Sequence, residues 1–275
     1  MSRFVDSDPP RLRGDNPPHS VEVVCGAGGC RAAVEAASVA VMVDALRASA
    51  TITALIAAGA RRVWVATEVE QAHAMKSRLV QEGIGEPLLL GEREGFPPPG
   101  FDAGNSPRDA MALPIEGRDA VFTSTTGSAR LGQLEGVSLA VVGSTVNAGP
   151  VARSVAERAG DKPVFAIAAG LRGAPGGTEE DWIGAAVIAE RLTEHDFEWV
   201  NRGLGARNYW PATLDADSVL AGFKGGAHGQ VLAGKGLGAD VEDCARLDWL
   251  DAVAQVVGYL RIDEGPPIAE LGALT

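Results

Sequence analysis

The chain has 275 residues, 46% of them hydrophobic, with a mean hydropathy of +0.06, a net charge of −12 and a pI of about 4.8. That length allows one large or two small domains around a sizeable core. The acidic balance argues against non-specific nucleic-acid binding, which needs basic patches. No run of 18 apolar residues suggests a membrane span, and three cysteines do not outline a disulfide framework.

Residues 1–20, rich in Pro, Arg and Asp, read as a loose arm without the apolar stretch of a secretory signal, so a cytoplasmic protein is expected. Residues 21–25 read as an edge strand. From residue 39 the pattern alternates. VAVMV is a strand, SATITALIAAGA a buried helix stopped at Gly59, and RRVWVA a strand. Residues 68–82 have helical spacing, with Gly83 as the stop. LLL is a strand, GFPPPGFDAGNSP a long loop of the kind that often carries function, and RDAMAL a short helix. AVFTS, SLAVV and PVFAIAA are strands, and helices are predicted over 127–134, 147–160 and 179–192.

This alternation predicts βαβ units, a mostly parallel sheet and an α/β fold of three layers, α/β/α. After residue 195 strand signals vanish, and helices are predicted near 213–222, 226–236, 240–246 and 248–257. The expected organisation is therefore an arm (1–20), an α/β catalytic core (21–195) and a helical C-terminal segment (196–275) that packs on the core or forms a small second lobe.

Five of the predicted strands end in small, polar or charged clusters: Asp44 to Ser49, Gly91-Glu92-Arg93, Thr123 to Ser128, Gly143-Ser144 with Asn147, and Gly170 to Arg172. In an open parallel sheet the carboxyl ends share one edge, where ligands bind. One shared site rich in hydroxyls, arginines and carboxylates suits an anionic, phosphorylated substrate and a hard metal ion. Asp44 can bind a metal, act as a nucleophile or cap the following helix, and a plain pair with Arg47 is the structural alternative. Ser49 stands at a helix start that attracts anions or merely needs a cap. The hydroxyls of Ser124, Thr125 and Thr126 can cradle an anion, and Ser144 repeats that arrangement more weakly. Asn105 offers substrate hydrogen bonds from a turn-forming string. Glu180 and Asp181 open a helix, as the helix dipole favours, and one of them can complete a metal site. Gly26-Ala-Gly28 lacks the third glycine of a dinucleotide fingerprint, and the stretch from Gly229 to Gly236 lacks the hydroxyl of a P-loop. Of the four histidines, His228 alone stands out as a proton carrier.

Taken in order, these blocks resemble the 2-phosphosulfolactate phosphatase family. The resemblance rests on Asp44-Ala-Leu-Arg47-Ala-Ser-Ala-Thr51, Gly91-Glu92-Arg93 with Gly95, and Gly100-Phe101-Asp102-Ala-Gly104-Asn105-Ser106-Pro107. It continues through Thr123 to Ser128, Gly143-Ser144 with Asn147, Gly170 followed by Glu180-Asp181, and His228-Gly229 to Asp248. The hydroxyl block departs from the family's usual Thr-Thr-Thr-Asn-Gly-Thr, with Thr126 at the Asn position and Ser128 at the last Thr.

The resemblance implies a Mg²⁺-dependent phosphatase that converts 2-phosphosulfolactate to sulfolactate and phosphate, a step toward coenzyme M or sulfolactate. It also implies a homo-oligomer, with a dimer favoured. On that basis Mg²⁺ is expected between Asp44, Glu92 and one of Glu180 or Asp181. Arg47 and Arg93 are expected to clamp the phosphate, and Arg172 to meet remote anionic groups. The rival expectation is a non-catalytic anion-binding or regulatory protein that keeps the fold.

Overall fold

The computed structural model describes residues 17–172, 176–205 and 209–275. Most of the expected arm, and residues 173–175 of the loop after Arg172, lie outside the described residues. The elements run β1 (Ser20–Cys25), α1 (Gly26–Glu35), β2 (Val39–Val43), α2 (Ala48–Ala57), β3 (Arg62–Ala66), α3 (Val69–Gln81) and β4 (Leu88–Gly91). They continue with α4 (Pro107–Ala112), β5 (Asp119–Thr123), α5 (Gly127–Gly132), β6 (Leu139–Val142), α6 (Ala148–Arg158), β7 (Val164–Ala168) and α7 (Glu179–Thr193). Then come β8 (Glu198–Trp199), α8 (Arg202–Gly205), α9 (Ala216–Gly225), α10 (Ala227–Gly234), α11 (Gly238–Ala245), β9 (Ala254–Leu260) and β10 (Ile268–Ala273).

The apolar runs become strands because both of their faces are covered. Every residue of β2, β5 and β7 is buried, as a sheet with helices on both faces requires. The ten strands form one mixed, mostly parallel sheet in the order β4-β5-β3-β10-β9-β6-β2-β7-β1-β8, so the α/β reading holds. The C-terminal helices α9, α10 and α11 also form and pack on one another, α9 and α10 on α7 and α11 on α4.

Two expectations change. Residues 248–257 are not a helix: β9 begins at Ala254 and forms an antiparallel hairpin with β10. Together they fill the middle of the sheet, between β3 and β6. A short apolar run has no decisive period of its own, and pairing with residues 268–273 decides it. The strand ends also do not share one edge. β4, β5 and β3 run parallel to one another, as do β6, β2, β7, β1 and β8. Three antiparallel pairings, β3 with β10, β10 with β9 and β9 with β6, separate the two groups, so they run in opposite senses. A flat sheet would hold their carboxyl ends at opposite edges. Here α5 packs against β2, β3 and β10, and the loop after β5 meets the loop after β2.

Among the described residues no helix is long and apolar enough to cross a membrane. Cys25, Cys30 and Cys244 are buried and join in no disulfide among the described residues, core residues as expected.

Candidate active site

The chain leaves the buried β2 at Asp44, whose backbone and neighbours fix the turn. Its N–H donates to Ser49 Oγ at 2.9 Å, and its carbonyl accepts from Ser49 N at 2.9 Å. The carboxylate accepts from Gly127 N at 2.8 Å and, more loosely, from Ala48 N at 3.4 Å. Gly127 is there because nothing larger fits: a Cβ would lie 2.6 Å from Asp44 Oδ2 and 3.1 Å from Ala48 Cβ. The peptide between Leu46 and Arg47 is cis. From the first turn of α7, Asp181 accepts from Ala45 N at 2.7 Å and from Gly170 N at 3.0 Å, tying together the loops after β2 and β7.

Both carboxylates are held against their own preference for water. Burial, reinforced by the charge of Glu92, pushes Asp44 up to about 6, with His228 and two backbone N–H groups tempering the rise. Burial, with Asp44 and Glu180 adding like charge, holds Asp181 well above the usual carboxylate range.

The opposite bank comes from β4 and β5. Gly91, with φ of +142°, packs so tightly on β5 that a Cβ would lie 2.0 Å from the Thr123 carbonyl oxygen. Glu92 follows. Its Oε1 accepts from the Thr125 N–H at 2.8 Å and the Thr125 hydroxyl at 2.9 Å, and its Oε2 accepts from Gly95 N at 2.9 Å.

Between the banks lies a cavity of about 410 Å³, lined by Asp44, Arg47, Glu92, Asn105, Thr125, Thr126 and Asp181, and roofed by His228, Val231, Leu232 and Lys235 of the α10 region. Arg47 is buried and donates to Asp240 at 2.5 Å and to the Gly95 carbonyl at 2.7 Å. Asp240 is steadied by the Ser106 hydroxyl at 2.7 Å. Removing either partner of such a buried pair costs about 3–5 kcal/mol, because the survivor is left uncompensated. The guanidinium carries five N–H donors, more than these two bonds use, so an oriented Arg47 keeps donors for an anion. The plain Asp44–Arg47 pair is thus not what forms. Asn105 Oδ1 is buried with no partner among the described residues, an amide with hydrogen-bonding capacity left for a ligand.

Other expected site residues are not brought to the cavity. Arg93 donates to the carbonyls of Glu92 and Thr67 and to Thr123 Oγ1, bracing the ends of β3, β4 and β5, and does not line the cavity. Ser49 serves the Asp44 turn. Ser124 and Ser128 exchange hydrogen bonds through backbone and hydroxyl, closing the turn before α5. Ser144 forms a reciprocal cap with Asn147. Arg172 pairs with Glu68 at 2.7 Å in the open, away from the lining. Glu180 is buried beside His228 and does not line the cavity.

Sequence reasoning missed Asp240 and Lys235 as site residues. Asp240 lies 193 positions from its partner Arg47, a separation no local pattern reveals. Lys235 follows His228 by seven residues, two helical turns, and that spacing on one helix face was the available signal.

Among the described residues no three of His, Cys, Asp or Glu gather into a metal cage, so the expected trio of Asp44, Glu92 and a residue of α7 is not assembled. Glu92 has both oxygens engaged by its own loops. Asp44 and Asp181 also accept backbone N–H groups, but burial holds both above the usual carboxylate range, and they are hard oxygen donors whose charge a cation would relieve. Mg²⁺ is commonly held by one or two carboxylates, with water and phosphate oxygens completing its octahedron, and this pair fits that mode.

Three relatives span most of the chain. A probable 2-phosphosulfolactate phosphatase of Carboxydothermus hydrogenoformans is 32% identical over 245 residues, covering 85% of this chain and 91% of its own length. Proteins of the same description from Deinococcus radiodurans and Thermus thermophilus are 33% and 31% identical, each covering 76% of this chain and 83% and 84% of their own lengths. Residues 30–258 match the family described as 2-phosphosulpholactate phosphatase, a span that holds every cavity residue named above, and the chain belongs to that family.

Proposed function

We propose that this protein is a Mg²⁺-dependent phosphatase that hydrolyses the phosphate monoester of a small anionic 2-hydroxy acid, with 2-phosphosulfolactate as substrate and sulfolactate and phosphate as products. The observation that carries this reading is the meeting of two buried carboxylates with raised pKa values, Asp44 and Asp181, with the oriented guanidinium of Arg47 in one cavity. Family membership supplies the substrate.

Phosphate monoesters hydrolyse extremely slowly unaided, so catalysis rests on positioning and charge stabilisation. Mg²⁺ bound at Asp44 and Asp181 would neutralise phosphate charge and orient water. Arg47 presents its remaining N–H groups to the phosphate oxygens. Thr126 and Asn105, both lining the cavity, offer hydrogen bonds to the rest of the substrate, and Lys235 offers a cation at the roof for the carboxylate or sulfonate. Glu92 keeps the Thr125 and Gly95 loops in place around them. The chain is expected to work as a homodimer in the cytoplasm.

A phosphate-release screen over 2-phosphosulfolactate, phospholactate and phosphoglycolate tests the substrate. Fastest turnover of 2-phosphosulfolactate is expected, and tight binding without release from any of the three would mark an anion-binding protein instead. A Mg²⁺-dependent acyl phosphate trapped on Asp44 would replace water attack by covalent catalysis.

A further inference from the structure

The alcohol of a 2-hydroxy acid is a poor leaving group, because it departs as a strongly basic alkoxide unless a proton reaches it. Resting on the phosphatase reading, we propose that His228 is the general acid that protonates the departing ester oxygen, and that Glu180 positions it.

Among the described residues His228 is the one imidazole lining the cavity. Its Nδ1 is fixed by Glu180 Oε1 at 2.9 Å, so Nε2 is the ring atom left for a ligand. Glu180 is itself buried, and its other oxygen has no partner among the described residues, so the imidazole is the partner its charge has. A ring nitrogen held by a carboxylate has its orientation and tautomer fixed, the arrangement that serves acid–base histidines elsewhere. His228 also shares one face of α10 with Val231, Leu232 and Lys235, the face that roofs the cavity. The ring thus lines the same cavity as the carboxylates of Asp44 and Asp181.

The step balances. Water oxygen bonds to phosphorus as the phosphorus–ester oxygen bond breaks, and the ester oxygen leaves with the proton from His228 Nε2. The alcohol and dihydrogen phosphate result, and the phosphate returns one proton to the imidazole through solvent.

The competing account makes the His228–Glu180 bond a structural tie between α10 and α7. Leaving-group dependence separates the two. With Mg²⁺ present, kcat of wild type, His228→Asn and Glu180→Gln is measured on 2-phosphosulfolactate and on acetyl phosphate, whose acetate leaves without a proton. General acids contribute about 10²–10⁴-fold. His228→Asn is therefore expected to lose about 100-fold or more on 2-phosphosulfolactate, in kcat with KM within about threefold, and less than about tenfold on acetyl phosphate. Glu180→Gln is expected to show the same selectivity at about tenfold, and it supplies the reading should His228→Asn melt early. Equal losses on both substrates in a variant that melts like wild type, or a loss confined to KM, would overturn the role of His228. A wild type that releases phosphate from neither substrate would instead overturn the phosphatase reading.

Discussion

The two banks of the cavity carry carboxylates in opposite circumstances. Glu92, at the end of β4, receives three hydrogen bonds and lies in a loop it organises itself. Asp44, at the end of β2, is buried, has one close donor and one long one to its carboxylate, and has its pKa pushed up to about 6. The first arrangement stabilises the fold. The second destabilises it until something positive arrives, which is how a binding site differs from a structural ion pair.

The comparison breaks most visibly by substitution. Asp44→Asn should abolish turnover, at least about 10³-fold, as loss of a principal catalytic group does. In EDTA the same variant should be more stable than wild type, by up to roughly 3 kcal/mol, the equivalent of a pKa raised by about two units. Glu92→Gln should do the reverse in EDTA, lowering stability by about 1–3 kcal/mol because charge-assisted hydrogen bonds are lost. Chemical denaturation of the three proteins checks both signs, and an Asp44→Asn variant less stable than wild type would contradict the assignment of Asp44 as a strained binder.

The pH dependence of the metal-free protein sharpens the same contrast. Asp44 holds its proton more tightly folded than unfolded, so its contribution is fully present below about 4, its unfolded value, and is lost as pH rises through about 6. Stability in EDTA should therefore fall across that window, and added Mg²⁺ should flatten the fall. Asp44→Asn should lessen the fall and leave the part that Asp181 carries, and an unchanged slope in that variant would assign it to other groups.

Smaller effects are expected away from the cavity. Ser128→Ala should cost about 0.5–1.5 kcal/mol of stability with KM for substrate little changed, since its hydroxyl closes a turn with Ser124. Arg172→Ala should change stability by less than about 1 kcal/mol, as exposed pairs do, and leave KM unaltered. A KM rise of tenfold in either would restore that residue to the substrate site.

Much of this was legible from residue order. Apolar runs ending in Asp44, Glu92 and Thr123, and an acidic start to α7, gave the strands and the residues at their ends. The convergence of those ends was expected for a reason that does not hold. A single parallel edge was anticipated, whereas the loops meet across two half-sheets of opposite sense, and the unrecognised β9–β10 hairpin makes that reversal. Hydroxyls misled in a systematic way. Ser49, Ser124 and Ser144 look from sequence like anion ligands, but a serine at a helix start satisfies backbone groups just as well, and here each does so. Arg93 differs in place, because its guanidinium is drawn to carbonyls that only the folded chain supplies and does not line the cavity.

The central claim is that Asp44, set between two opposed half-sheets, is where a divalent cation and a phosphate ester meet. Phosphate release from 2-phosphosulfolactate, measured for wild type and Asp44→Asn with EDTA and then with excess Mg²⁺, tests it most directly. Wild type is expected to release phosphate in a manner that EDTA stops and Mg²⁺ restores, and Asp44→Asn to release none in either condition. Equal release with and without EDTA, or full turnover by Asp44→Asn, would contradict it.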